Sequence, residues 1–116
     1  MTEIRYICIH GHFYQPIRTN PWTNYIELQQ EAYPYHDWNE KINTECYRAN
    51  AGSHILDYEK KIADIVNNYE NISFNFGPSL LNWIKENDSY TYEKIIEADI
   101  KSQQKFGGHG SAIAQI

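Results

Sequence analysis

With 116 residues, 41% hydrophobic and 22% charged, the chain is globular in class and long enough for one small domain or part of a larger one. A formal net charge of -5 argues against a nucleic-acid partner, which needs a basic face, and is too modest for an acidic tail. No apolar run reaches the roughly 18–20 residues of a membrane span, and no signal-peptide stretch precedes the first strand, so a cytoplasmic protein with no membrane association is expected.

In chain order, Ile4 to His10 is short, β-rich and nearly continuous in apolar residues, which predicts a strand buried on both faces and stopped by Gly11. Residues 11–50 form a long connection broken by Pro16, Pro21 and Pro34. A short helix is expected near its end, capped by Asp37 with Glu40 three residues on, and with Trp38, Ile42 and Cys46 on one face. Ser53 to Tyr69 predicts the clearest helix. Its stripe is Ile55, Ile62, Ile65, Val66 and Tyr69, set against Asp57, Glu59, Lys60, Lys61 and Asp64.

Ile72 to Phe76 alternates with period two and predicts a strand. Gly77 and Pro78 turn the chain into a helix carrying Leu80, Leu81, Trp83 and Ile84. A further helix from about Thr91 to Phe106 has Tyr92, Ile95, Ile96 and Ile100 inward, and Gly107 and Gly108 end it. Residues 111–116 look like another strand beginning. The alternation of strands and helices implies βαβ units, a parallel sheet and an α/β fold. Functional loops in such folds follow the C-terminal ends of strands, so the aromatic-rich segment after the first strand sits where a site should be.

The cysteines, Cys8 and Cys46, are far apart in an apparently unsecreted chain and read as buried thiols rather than a disulfide. Aromatic content is 15%, much of it between Phe13 and Tyr47, which suggests a binding surface as much as a core.

His10 and His12 form a His-x-His unit whose imidazoles point to one side of a strand. One reading is a metal site, with His36, Asp37, Glu45 and His109 available by type as further ligands. The other is that they hydrogen-bond a polar substrate or the loop. Gln15 offers both donor and acceptor to sugar hydroxyls, and Tyr14 and Trp38 offer faces for a pyranose ring. Glycoside hydrolysis needs two facing carboxyl groups, but spacing singles out no pair among Glu27, Glu31, Asp37, Glu40 and Glu45. The Gly107-Gly108-His109-Gly110 run follows a helix rather than preceding one, so it fits a tight connection better than a phosphate loop. His109 remains an exposed functional candidate.

His-Gly-His-Phe-Tyr-Gln-Pro at 10–16 resembles the first signature of glycoside hydrolase family 57. Here Phe13 and Tyr14 separate the second histidine from Gln15, whereas the commoner family form joins histidine directly to Gln-Pro, so the likeness is to a divergent branch. Residues 72–83 resemble the family's second strand and following helix, and the stretches Tyr33 to Glu40, Glu45 to Tyr47 and Gly108 to Gln115 resemble those of a bacterial branch of α-amylase and α-mannosidase relatives. The resemblance spans His10 to Gln115.

It implies a (β/α)7 TIM-like barrel of parallel strands, with residues 1–116 as its N-terminal portion, and retaining chemistry on α-glucans. It implies a Glu nucleophile and an Asp general acid/base downstream of Ile116, with no catalytic residue assigned among those present. It implies no metal or other cofactor. His10, His12 and Gln15 carry over as substrate-binding residues. Tyr14, Trp38, Glu45 and His109 join them by looser inference. A barrel of this kind needs roughly 200 residues or more, so the rest of it is expected to be required for a stable fold. The alternatives are a metal-dependent hydrolase built on His10 and His12, and a non-catalytic sugar-binding module.

Overall fold

The computed structural model describes residues 4–113. In chain order its elements are β1 (His10–Phe13), α1 (Trp38–Ile42), a π-helical turn (Asn43–Tyr47), α2 (Arg48–Ala51), β2 (Ser53–Leu56), β3 (Ile62–Val66), β4 (Ser73–Phe76), α3 (Pro78–Asn87) and α4 (Ser89–Lys105). Short 3-10 turns lie at Gln30–Ala32 and Asn68–Glu70.

β1 and β4 pair in parallel, with His10 opposite Ser73 and Phe13 opposite Phe76. The Ser111-Ala112-Ile113 segment bridges β4 in parallel as well. Phe74 N–H donates to the Ser111 carbonyl at 3.0 Å, and Ile113 N–H to the Phe74 carbonyl at 2.8 Å. The fold is therefore mixed α/β with parallel pairing at its centre. Strand alternation divides the sheet. Phe74 and Phe76 point into the core with Phe13, whereas His10 and His12 are exposed on the other side.

The core is aromatic. Phe13 stacks on Phe76 at a 5.0 Å centroid distance, and Tyr47 and Tyr69 meet Phe13 edge-on at 6.0 and 5.8 Å. Edge-on and offset contacts of this kind match the ring quadrupoles. Leu80 and Ile84 of α3 and Ile95 and Ala98 of α4 close over the rings. The Tyr69 hydroxyl is buried and donates to the Tyr47 carbonyl at 2.8 Å.

Local chemistry sets the helix ends. The Asp37 carboxylate accepts from Glu40 N–H at 3.0 Å, as the capping pattern predicts. Pro78 occupies the first turn of α3, where its missing N–H costs nothing. Gly107 (φ 64°) and Gly108 (φ 93°) stop α4, and Gly108 N–H reaches back to the Gln103 carbonyl at 2.7 Å.

Four expectations are overturned. First, residues 4–9 are exposed and form no strand, because β1 begins only at His10, where Ser73 N–H meets the Ile9 carbonyl. Second, the stretch expected as the clearest helix is an antiparallel hairpin, β2–β3, followed by a 3-10 turn. Its turn is built by Asp57, whose carboxylate accepts from Glu59 and Lys61 N–H, and by Lys60 at φ 65°.

Third, the stripe expected on α4 holds for Ile95, which is buried, and Tyr92, which packs against the core, with Thr91, Ala98 and Ser102 completing the inward face. Ile96 and Ile100 face outward. Fourth, Cys8 is exposed rather than buried, and Cys46 is half-buried with its thiol pushed up by burial. Residues 114–116 of the expected last strand lie outside the described residues. Among the described residues no helix is long and apolar enough to cross a membrane.

Candidate functional site

The C-terminal ends of β1 and β4 are tied together by a 2.8 Å bond from Gly77 N–H to the Phe13 carbonyl. From this edge the chain leaves β1 through Gln15 and leaves β4 into α3. A cavity of about 270 Å³ opens between the two exits, lined by Gln15, Arg18, Asn39, Asn82, Trp83 and Glu86 among others. Sites in parallel sheets collect at this end because successive loops diverge there.

One hydrogen-bonded chain organises the wall. Arg18 Nε donates to Asn39 Oδ1 at 3.1 Å, and Arg18 Nη2 to Gln15 Oε1 at 2.9 Å. Gln15 Nε2 in turn donates to the Tyr47 hydroxyl at 2.8 Å. Burial pushes the Tyr47 phenol upward, so it stays protonated and neutral. Asn39 is buried on α1 and Tyr47 ends the π-helical turn. The extra residue of that turn adds to the winding between the two contacts, and π-turns recur at functional sites.

The cavity does not stop at Glu86. Trp83 and Glu86 also line a neighbouring space of about 680 Å³ with His36 and Glu40. Trp83 then borders a third, of about 390 Å³, with Asn43, Arg48 and Asp88. Trp83 thus borders all three hollows. In the third, Asp88 accepts from Asn43 Nδ2 (2.9 Å), Arg48 Nη1 (2.8 Å) and Thr91 Oγ1 (2.7 Å). Burial pushes the Asp88 carboxyl up, but these donors outweigh it and hold it below its ordinary range. The buried Asn43 Oδ1 has no hydrogen-bond partner among the described residues.

A separate polar surface lies on the uncovered face of the sheet. His10 Nδ1 is 2.7 Å from Ser73 Oγ, and His12 Nδ1 is 2.6 Å from Asn75 Oδ1. The His12 ring also packs against Tyr14, with centroids 5.3 Å apart.

The structure thus divides the residues expected to bind substrate. His10, His12 and Tyr14 share one surface, as alternation predicts, although the histidines lie within β1 rather than at its end. Gln15 lines the cavity beneath the opposite face, with its amide already engaged at both ends. Trp38 is half-buried under Lys41, Glu45 is exposed and ion-paired to Lys41 at 3.9 Å, and His109 is exposed beyond α4. None of these three lines the cavity.

Sequence reasoning missed Arg18, Asn39 and Tyr47, which only folding brings together. Trp83 packs against the core, as its place among the apolar residues of α3 predicts, and its part in lining the cavity was not foreseen. Among the described residues no group of three or more His, Cys, Asp or Glu could hold a metal ion together. No family model matches the chain, and comparisons with curated proteins and with solved structures return no match.

Proposed function

We propose that this chain is the substrate-binding N-terminal part of a cytoplasmic carbohydrate-active enzyme, a retaining glycoside hydrolase acting on α-glucans through a (β/α)7 barrel. In this reading residues after Ile116 supply the catalytic carboxylates and the remaining strands. The observation that supports it is the cavity at the C-terminal ends of β1 and β4. Its wall is fixed amide and guanidinium groups, and an indole forms one side.

Sugars present alternating C–H faces and hydroxyl edges. An aromatic ring suits the first, and amide groups, which both donate and accept, suit the second. The parallel pairing and the one-sided helical cover fit an outer helical ring around an inner polar strand face. That inner face carries His10, His12 and Tyr14 and adds hydroxyl-binding groups.

The test is titration of a version extended to barrel length with maltoheptaose, followed by tryptophan fluorescence. Saturable binding is expected, weakened about tenfold in Trp83→Ala, the equivalent of roughly 1.4 kcal/mol of lost ring contact. That version should also cleave or transfer soluble starch. Absence of binding by the extended version refutes the reading. Binding without activity in the extended version leaves a sugar-binding module instead.

A further inference from the structure

We propose that His10 and His12 form a two-imidazole chelate for a divalent transition-metal ion, Zn2+, Ni2+ or Cu2+, on the uncovered face of the sheet. The residues alternate along β1, so both rings leave the same face from Cα atoms about 6.7 Å apart, within reach of one ion between them.

The second observation is what lies behind each ring. His10 and His12 stand directly opposite Ser73 and Asn75 in the parallel register, and each contacts its partner through Nδ1. The Asn75 carbonyl oxygen can only accept, so at 2.6 Å His12 Nδ1 carries the proton. Nε2 then holds a lone pair directed away from β4. The Ser73 hydroxyl can either accept from His10 Nδ1 or donate to it, and when it accepts, that ring takes the same tautomer. Metal-binding histidines are oriented in this way, with one ring N–H donated to an oxygen and the other nitrogen left for the ion. The His12 ring is thus held in the tautomer and orientation that chelation requires before any ion arrives, and the Ser73 contact is compatible with the same arrangement at His10.

Imidazole pairs favour Zn2+, Ni2+ and Cu2+ over Mg2+ or Ca2+. No third His, Cys, Asp or Glu completes the set among the described residues, so water or the oxygens of a ligand fill the remaining positions. Such a site is open and exchangeable, and a chelator strips it without unfolding the chain. It stands independently of the glucan reading. Where both hold, the ion occupies the Nε2 atoms that would meet sugar hydroxyls and competes with sugar on this face.

The test is titration of the 116-residue chain with Cu2+, with electron paramagnetic resonance to count coordinating nitrogens, and with Zn2+ by calorimetry. Two imidazole nitrogens are expected in the wild type and one in His10→Ala or His12→Ala, each at least about tenfold weaker. Asn75→Ala, which leaves both ligands in place, is expected to weaken binding about tenfold through the lost orientation. His36→Ala, His54→Ala and His109→Ala should bind as the wild type does. Equal affinity in the wild type and in His10→Ala or His12→Ala overturns the site. Unchanged affinity in Asn75→Ala overturns the orientation argument on which it rests.

Discussion

Asp88 joins α3 to α4, and its replacement tests how the helical layer is held. The carboxylate caps α4 by accepting from Thr91 N–H at 3.2 Å and Thr91 Oγ1 at 2.7 Å, and it also takes Asn43 Nδ2 and Arg48 Nη1. In Asp88→Ala the lost cap costs about 1 kcal/mol. Stranding the buried Thr91 hydroxyl and Asn43 amide adds roughly 2 kcal/mol. The Arg48 side chain is half-exposed, so its ion pair contributes at most about 1 kcal/mol. The total is near 3 kcal/mol, or a fall in Tm of roughly 12 °C for a chain of this size.

Asp88→Asn keeps the shape and loses the charge, so it should cost about half as much at neutral pH. The sign with pH follows from the depressed carboxyl. Its contribution is fully present above the ordinary value of 3.8 and is lost as pH falls through the lower folded value. Wild type and Asp88→Asn should therefore converge as pH falls from neutral to well below 3.8. Urea unfolding followed by tryptophan fluorescence at both ends of this range measures this. A loss under about 1 kcal/mol in Asp88→Ala, or a gap to Asp88→Asn that stays constant with pH, refutes the reasoning.

Two further substitutions probe the aromatic core. A Cβ added at Gly11 would lie 2.6 Å from Phe13 Cε2, and that ring is confined by Phe76, Tyr47 and Tyr69. Gly11→Ala should cost roughly 1–3 kcal/mol in urea unfolding, and a neutral result would show that the Phe13 ring has room to move. Tyr69→Phe removes the buried bond to the Tyr47 carbonyl and should cost about 1 kcal/mol, read in the same assay; a gain in stability would contradict the role of that bond.

Much of the C-terminal half was legible in the sequence because its signals are local. Ser73 to Phe76 alternates, Pro78 opens a helix, and Gly107 and Gly108 close one, each for a reason confined to a few residues. The segment from Ser53 to Tyr69 misled because its apolar spacing suits a helix face. Three isoleucines and a valine prefer a strand, and the turn is made by Asp57 and Lys60, without the usual glycine.

Of the candidate site, the shared side of His10 and His12 follows from alternation alone. The wall of the cavity does not, because Gln15, Arg18, Asn39 and Tyr47 meet only when α1, the π-helical turn and the loop after β1 pack together. Trp83 packs against the core, as tryptophan on an amphipathic helix usually does. That it also borders open space is visible only in the packed structure.

β1 has a division of labour residue by residue. Gly11 and Phe13 answer to packing, and His10 and His12 answer to whatever meets the face that the helices leave uncovered. β4 repeats the pattern, with Phe74 and Phe76 against Ser73 and Asn75. In a saturation library the two strands would show tolerance that flips at every step. One set of positions would be filtered by folded yield and the other by ligand retention. Chemistry on this sheet can therefore drift by single substitutions while its architecture stays fixed.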